Sequence, residues 1–581
     1  MRPLVQAEPP RQAQSDRPSA SPAYRPSVED GAPESSLAAT IDEMFDRSVA
    51  ACGGQPMLGL RAGPASAPGG YAFSTYSEVS LRVSAFARAL NGIQGSGLPV
   101  AIYGQNSPEW MVAFLACARA GRVVVPINDS LGARQAEYVL RHCEAGAMVV
   151  SSGHLARALS LASRVKSVRT IVHWSAPAGA PYPLPPGVSE ATSAGVEVVS
   201  LEALCRGGAD APGPSLGPRP SPDDVLAVMY TSGTTGAQKG VMLTHRAVMS
   251  TMAGIEDICR LAGTDMGPGD SILSYLPLAH ILELETELFF VFVGGAIGYW
   301  RGDPGGLLED VQALRPTMFL GVPHIFDRMV ARLKSRVAHL DFPRRSAFGV
   351  GYRWKLALLR RQRRGVFGKA VVGTLNLLLF RKACRKMLGG RTKLVLSGGA
   401  PLSSSSEEFL RVGVCCPIVQ GYGLTETCGG VFASMPHRFE MFGTVGVPLR
   451  STTFRLESVP ELGYDALADP PCGELLIKSP QLFSGYYKAP DASNVDKDGW
   501  LHTGDIAQLE DGYIRIMDRR HNFTLNSDGD FLSLEKIEAA YRNCSIVDQI
   551  WIYCVAPRQV LVAVVVPHPE GIEAWAKTAK V

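Results

Sequence analysis

Apolar runs in this chain alternate with segments of helical spacing. "LPVAIYG" (Leu98 to Gly104) is continuously apolar, as a strand buried on both faces should be. "NSPEWMVAFLACARAG" follows with Ser107 placed to cap, Pro108 in the first turn and Gly121 as the stop, and predicts a helix. "RVVVPIN" predicts the next strand, and a helix over about Ala133 to Glu144 followed by "AMVVSS" repeats the unit. Strand and helix in alternation predict an α/β fold with a doubly wound sheet. Further strands are expected at "DVLAVMYTSG", "TKLVLSG", "GELLIKS", "GYIRIMD", "IWIYCVA" and "VLVAVVVP". Between Ser175 and Pro222 the chain is rich in Pro, Gly, Ala and Ser, which predicts a long surface excursion.

Composition narrows this picture. A chain of 581 residues with 46% hydrophobic content is expected to fold as more than one domain. Residues 1–36, rich in proline and serine, predict a disordered leader and not a secretory signal. The balance of 57 basic against 54 acidic residues removes any global charge argument for a nucleic-acid partner. Residues 342–393 are the local exception, with fifteen Lys or Arg and no acid, interleaved with Trp354, Leu356, Leu358 and Leu359. That segment predicts amphipathic helices with solvated basic faces, with membrane-surface docking as the second reading. No recognisable nucleic-acid module accompanies it. The cysteines show no C-x-x-C pair, which favours a reduced compartment, and Cys415 with Cys416 reads as strand filling. The longest apolar windows, Leu288 to Trp300 and Ala370 to Phe380, are shorter than the ~18–20 residues of a spanning helix.

Candidate chemistry begins at "YTSGTTGAQKG". Gly233 and Gly236 enclose two residues and Lys239 precedes a glycine, so this is not a Walker loop. Its physics still suits a polyphosphate. Backbone N–H groups bared by the two glycines, hydroxyls of Thr231, Ser232, Thr234 and Thr235, and the Lys239 ammonium can surround one.

The longer string "YTSGTTGAQKGVMLTH" resembles the signature loop of the adenylate-forming superfamily. "SYLPLAH", "LVLSGGAPL", "QGYGLTETCGG", "GWLHTGD" and "DRRHNFTLNSDGDFLSLEKIE" follow in that family's order. "VPHIFDRM", "LESVPELGYDALADPP" and "LFSGYYKAP" are similar to eukaryotic long-chain fatty acyl-CoA synthetases, especially the plant type. The resemblance implies a large adenylation domain over 37–518, built of doubly wound mixed sheets plus a β-barrel-like part. It further implies a hinge at Asp518 and a small α+β domain over 519–581. The implied reaction is ATP-dependent ligation of a fatty acid to coenzyme A through an acyl-adenylate. The adenylation domain of a carboxylic acid reductase or peptide-synthetase-like protein, or a catalytically impaired nucleotide- or acyl-binding protein, are the alternatives.

Site roles follow from the same resemblance. It implies the β- and γ-phosphates of ATP in the 231–239 loop, Mg²⁺ on Glu426 and a nucleotide contact from Thr425. Gly398, Gly399 and Ala400 can bring bare backbone against a flat ring, and Tyr422, between Gly421 and Gly423, offers a face to stack on adenine. Asp505 would accept the ribose hydroxyls, Arg519 would add a ribose or phosphate contact, and His280 would line the acyl carboxylate. "LAHILELE" departs from the family, and Leu525 stands where a lysine is usual. Only about 60 residues follow Asp518, and neither Lys577 nor Lys580 matches the family's adenylation lysine, so an incomplete C-terminal domain is expected. Attachment to the cytoplasmic side of an internal membrane, endoplasmic reticulum or peroxisome, is the expected location.

Overall fold

The computed structural model describes residues 4–6, 19–26, 38–63, 69–95, 97–175, 195–206, 216–232, 238–360, 366–436, 438–520, 523–525, 531–542, 544, 546–555 and 560–579. The chain forms two compact units, one of Glu29–Phe442 with Ser479–Ser493, the other of Met1–Val28, Gly443–Lys478 and Asn494–Val581.

In the first unit a seven-stranded sheet runs in the order Gln238–Thr244, Val225–Ser232, Val124–Ile127, Val100–Tyr103, Ala147–Ser151, Thr170–Trp174, Glu197–Ser200. All its pairings are parallel except that of the first two strands. The last strand, "EVVS", falls inside the stretch expected to be a loop, because two adjacent β-branched residues, Val198 and Val199, suffice to extend the sheet edge. A second sheet of this unit runs Gly429–Ala433, Ile418–Leu424, Leu394–Ser397, Met318–Gly321, Ser271–Ser274, Ala296–Tyr299, Pro56–Arg61, Tyr71–Thr75. The helix Pro108–Arg119 starts as expected: the Ser107 hydroxyl accepts from the Trp110 N–H at 3.3 Å and Pro108 takes the first turn. It touches strands of both sheets, and its residues from Trp110 to Ala118 are all buried. A helix apolar on every side belongs between two layers.

The helix Ile281–Phe292 is equally enclosed, yet carries Glu283, Glu285 and Glu287, all buried. The Tyr275 N–H donates to Glu283 Oε1 at 3.1 Å, and the Tyr299 hydroxyl donates to Glu287 Oε2 at 3.0 Å. Burial raises the pKa of each carboxyl, that of Glu285 to about 8. A carboxyl that binds its proton more tightly folded than unfolded makes the folded state lose stability as pH rises from the ordinary glutamate value of 4.5 towards about 8. Glu285→Gln is therefore expected to flatten the decline in thermal midpoint over this range. Identical slopes in variant and parent would contradict the assignment.

The second unit centres on a six-stranded antiparallel sheet in the order Leu4–Gln6, Tyr24–Pro26, Thr453–Glu457, Cys472–Lys478, Leu501–Glu510, Tyr513–Arg519. This open sheet stands where a β-barrel-like part is expected. Its first two strands, Leu4–Gln6 and Tyr24–Pro26, lie within residues 1–36, the stretch expected to be a disordered leader. Tyr24 stacks on Phe454 with ring centroids 5.5 Å apart, and the Ser21 N–H donates to the Leu456 carbonyl at 2.8 Å. A composition average hides edge strands this short. Residues 7–18 and 27–37 lie outside the described residues. Tyr513–Arg519 is one strand, with Asp505 opposite Arg519 and Ile506 opposite Asp518. Beyond it, "IWIYCVA" and "VLVAVVVP" form the expected strands, which pair antiparallel as Val547–Val555 with Val560–Pro567 and leave Trp551, Tyr553 and Val564 exposed.

Candidate active site

The strands Val225–Ser232 and Gln238–Thr244 are the two arms of a hairpin whose tip holds the glycine- and threonine-rich loop. Gly233, Thr234, Thr235 and Gly236 lie outside the described residues, but the arms fix where the tip begins and ends. Thr231 stands opposite Lys239, and Ser232 opposite Gln238. The helix Ala133–Cys143 grips both arms. His142 Nδ1 meets the Tyr230 hydroxyl at 2.7 Å, and the Tyr138 hydroxyl donates to the Gln238 carbonyl at 3.2 Å. Burial, with Lys488 nearby, lowers the His142 pKa.

"QGYGLTETCGG" forms a second hairpin, the strand Ile418–Leu424 paired with Gly429–Ala433. Thr425 to Cys428 make the turn. The Cys428 N–H donates to the Thr425 carbonyl at 3.0 Å, and the Thr427 hydroxyl spans the base, accepting from the Leu424 N–H at 2.7 Å and donating to the Gly429 carbonyl at 2.7 Å. Glu426 is left half-buried at the tip.

The segment around "SGYYK" joins the two hairpins. The Met242 N–H donates to the Gly485 carbonyl at 3.1 Å and the Tyr487 N–H to the Gly240 carbonyl at 2.8 Å, so this segment runs along the free edge of Gln238–Thr244. Tyr486 is thereby set between the two charged candidates. Lys239 Nζ lies 4.9 Å from its ring centroid, and its hydroxyl donates to Glu426 Oε1 at 2.8 Å. The Phe483 N–H holds the Glu426 carbonyl at 2.9 Å. Tyr486 is absent from the residues chosen by sequence. The phrase "LFSGYYKAP" was a signal for the segment, but nothing in it distinguishes Tyr486 from Tyr487.

Gly398, Gly399 and Ala400 leave the strand Leu394–Ser397, next to Ile418–Leu424 in the sheet. Gly399 has a φ of +82°, which glycine accepts without strain. A second residue missed by sequence ties this loop down: Gln420, 4% exposed, accepts the Leu402 N–H on Oε1 at 2.8 Å. Tyr422 stands half-buried between Gly421 and Gly423, its ring edge-on to Phe432 at 6.0 Å. A Cβ at Gly398 would lie 3.2 Å from Leu282, so the glycine loop passes close to the start of the helix Ile281–Phe292. His280 is the residue before that helix. It is exposed, 3.4 Å from Asn128 Nδ2, and the protein packed around its ring lowers its pKa.

Asp505 and Arg519 belong to the other unit. Asp505 is 3% exposed, on a strand opposite Arg519, whose Nε lies 3.4 Å from Asp505 Oδ1. Arg519 is half-exposed, and its N–H donates to Asp518 Oδ1 at 2.6 Å. Beside them the Thr503 hydroxyl accepts the Asp505 N–H at 3.0 Å, and Glu474 Oε1 accepts the Gly504 N–H at 3.1 Å. Thus "HTGD" is a held turn and strand, not a free loop. The side chain of Leu525 lies outside the described residues, as do those of Lys577 and Lys580.

Known proteins resemble this chain. The family model for AMP-binding enzymes matches residues 46–487. Long chain acyl-CoA synthetase 1 of Arabidopsis thaliana is 37% identical over 97% of this chain and 84% of its own length. Fatty acyl-CoA synthetase B of Dictyostelium discoideum is 35% identical over 83% of this chain and 69% of its own length. Among solved structures, the adenylation domain of a carboxylate reductase from Mycobacterium chelonae superposes with a TM-score of 0.73 at 27% identity, covering 93% of this chain and 81% of that one. With the α/β fold and both hairpins in place, these matches decide the family: the chain is a member of the AMP-binding enzymes.

Proposed function

We propose that this chain is an AMP-forming long-chain fatty acid:CoA ligase that couples a fatty acid to coenzyme A at the expense of ATP. The observation that carries the reading is Tyr486, which sets the Lys239 ammonium and the Glu426 carboxylate on two hairpins around one phenol ring. Identity of 34–37% to several long-chain acyl-CoA synthetases, each over 97% or more of this chain, supports the substrate class.

In the first half-reaction a fatty carboxylate oxygen attacks the α-phosphorus of ATP and pyrophosphate leaves. In the second, the thiol of coenzyme A takes the acyl group and AMP leaves. Neither step needs a protein nucleophile; both need negative charge held and stabilised. Lys239 with Thr231, Ser232, Gly233, Thr234, Thr235 and Gly236 holds the β- and γ-phosphates. Gly398, Gly399, Ala400 and Tyr422 receive the adenine, Gly421, Gly423 and Thr425 flank the nucleotide, and Asp505 with Arg519 takes the ribose. His280 lines the acyl carboxylate. Glu426 suits Mg²⁺, because Tyr486 fixes one oxygen of a half-exposed carboxylate and a single hard oxygen ligand beside phosphates is ordinary magnesium chemistry. When bound, the ion neutralises phosphate charge.

Tyr486→Phe removes the hydrogen bond but keeps the ring. A bond to a charged group is worth about 1.5–3 kcal/mol, so kcat for adenylation should fall by roughly tenfold or more with little change in thermal midpoint. Unchanged kcat would remove Tyr486 from the account.

The structural likeness to a carboxylate reductase adenylation domain favours a second reading, in which the acyl group passes to a carrier-bound thiol. Incubation with palmitate, ATP, Mg²⁺ and coenzyme A separates the two. Palmitoyl-CoA with AMP and pyrophosphate supports the ligase, whereas palmitoyl-adenylate accumulating without thioester supports the alternative.

Peripheral membrane contact belongs to the same proposal. Phe342, Trp354 and Leu378 are 73%, 58% and 72% exposed, and Arg344, Arg345, Arg353, Arg381 and Lys382 are exposed around them. Among the described residues no helix is long and apolar enough to cross a membrane. Such a surface fits the anionic cytoplasmic leaflet of the endoplasmic reticulum or peroxisome, each basic residue adding about 1 kcal/mol. Sedimentation with phosphatidylserine vesicles but not with phosphatidylcholine vesicles is the expected result.

A further inference from the structure

Away from the nucleotide residues, three thiols surround one buried ammonium. Lys355, on the helix Phe342–Arg360, is 2% exposed. Its Nζ donates to Asn376 Oδ1 and to the Val412 carbonyl, both at 2.5 Å, and lies 4.8 Å from the Phe380 ring centroid. Cys384 sits on the helix Arg381–Leu388, while Cys415 and Cys416 occupy the bend between the helix Ser404–Gly413 and the strand Ile418–Leu424. This corrects the reading of Cys415 and Cys416 as strand filling: Pro417 follows them, and the strand begins only at Ile418. The charge of Lys355 acts on all three sulfurs.

Cys384 and Cys415 share the wall of a cavity of about 430 Å³ with Arg381 and Arg385. The Cys415 thiol donates to the Cys384 sulfur. That hydrogen bond, with the Cys415 N–H and Lys355 adding to it, outweighs burial and brings the Cys384 pKa down to about 7. The same bond, with burial, raises that of Cys415. Cys384 is 8% exposed beside Met387 and Leu388, so it is the Lys355 charge and the shared cavity wall that set it apart from a purely structural cysteine.

We propose that Cys384 and Cys415 are a reversible thiol–disulfide pair, reached through this cavity by a small anionic disulfide such as oxidised glutathione. The Cys384 thiolate attacks one glutathione sulfur, forming a mixed disulfide and expelling a glutathione thiolate that takes up a proton. Cys415 then gives its proton to solvent and attacks the Cys384 sulfur, expelling the second glutathione. Two protein thiols are oxidised, and one oxidised glutathione becomes two reduced ones. Arg381 and Arg385 meet the glutathione carboxylates. The new bond staples the helix Arg381–Leu388 to the bend that leads into the strand of Tyr422, so oxidation acts on the placement of that strand.

The test is incubation of the full chain with oxidised glutathione at neutral pH, followed by alkylation, digestion and mass spectrometry. A peptide linking Cys384 to Cys415, the loss of those two alkylatable thiols and their recovery with dithiothreitol are expected. Cys415→Ser should arrest the sequence with glutathione on Cys384, and Cys384→Ser should leave Cys415 unmodified. Exposed Cys544 reports that the oxidant is active. If Cys384 and Cys415 remain fully alkylatable while Cys544 is glutathionylated, or if Cys416 is the partner found, the proposal is overturned. The unsubstituted chain decides this even if a serine variant folds poorly.

Discussion

Glu426→Gln should lower fatty-acid-dependent pyrophosphate release by roughly 10²–10³-fold, the cost of removing one charge-stabilising group from a reacting centre. The substitution keeps the shape of the side chain and an oxygen able to accept from Tyr486. The turn is set by Thr427 and by backbone bonds at Thr425 and Cys428, none of which the change touches. Thermal stability should therefore stay close to that of the parent. Raising Mg²⁺ should recover part of the rate, because the variant is weakened in its hold on the ion and not in its fold. Wild-type turnover at ordinary Mg²⁺ would remove Glu426 from the chemistry, and a large drop in melting temperature would make its role structural.

Gly429→Ala should have the largest effect on stability. Gly429 has a φ of +100°, and a Cβ there would lie 1.6 Å from Glu285 Oε2. The backbone strain costs about 1–3 kcal/mol and the overpacking about 1–3 kcal/mol more. Glu285 has no easy retreat, because it is 3% exposed on an enclosed helix. Activity should fall along with stability, since the displaced strand ends in the Glu426 turn. Combining the change with Glu285→Ala should restore part of the stability, the steric part, and leave the backbone part. A single variant as stable as the parent in urea or thermal unfolding would contradict the packing described.

The same pair of residues shows what was and was not legible in the sequence. Strands and helices with local signals were readable: Ser107 caps its helix, and the apolar runs at Leu394–Ser397 and Cys472–Lys478 became strands. Motifs carried by one loop, such as "GLTET", placed Glu426 at a turn. Features that depend on a distant partner were not readable. Glu285 lies on a helix whose acids would ordinarily face water, and only the enclosure of that helix on all sides reveals its burial. Tyr486 acquires its position from pairing with a strand more than two hundred residues earlier, at Val241. Gln420 reads as a strand residue until Leu402 is found hydrogen-bonded to it. The short strand at Tyr24–Pro26 was hidden for the same reason, since its partner begins at Thr453.

The most direct test of the central claim is exchange of labelled pyrophosphate into ATP by this chain with Mg²⁺, in the presence and absence of palmitate. Label is expected in ATP only when the fatty acid is present, and its loss in Glu426→Gln. Exchange that ignores the fatty acid, or none under any of these conditions, would contradict that claim.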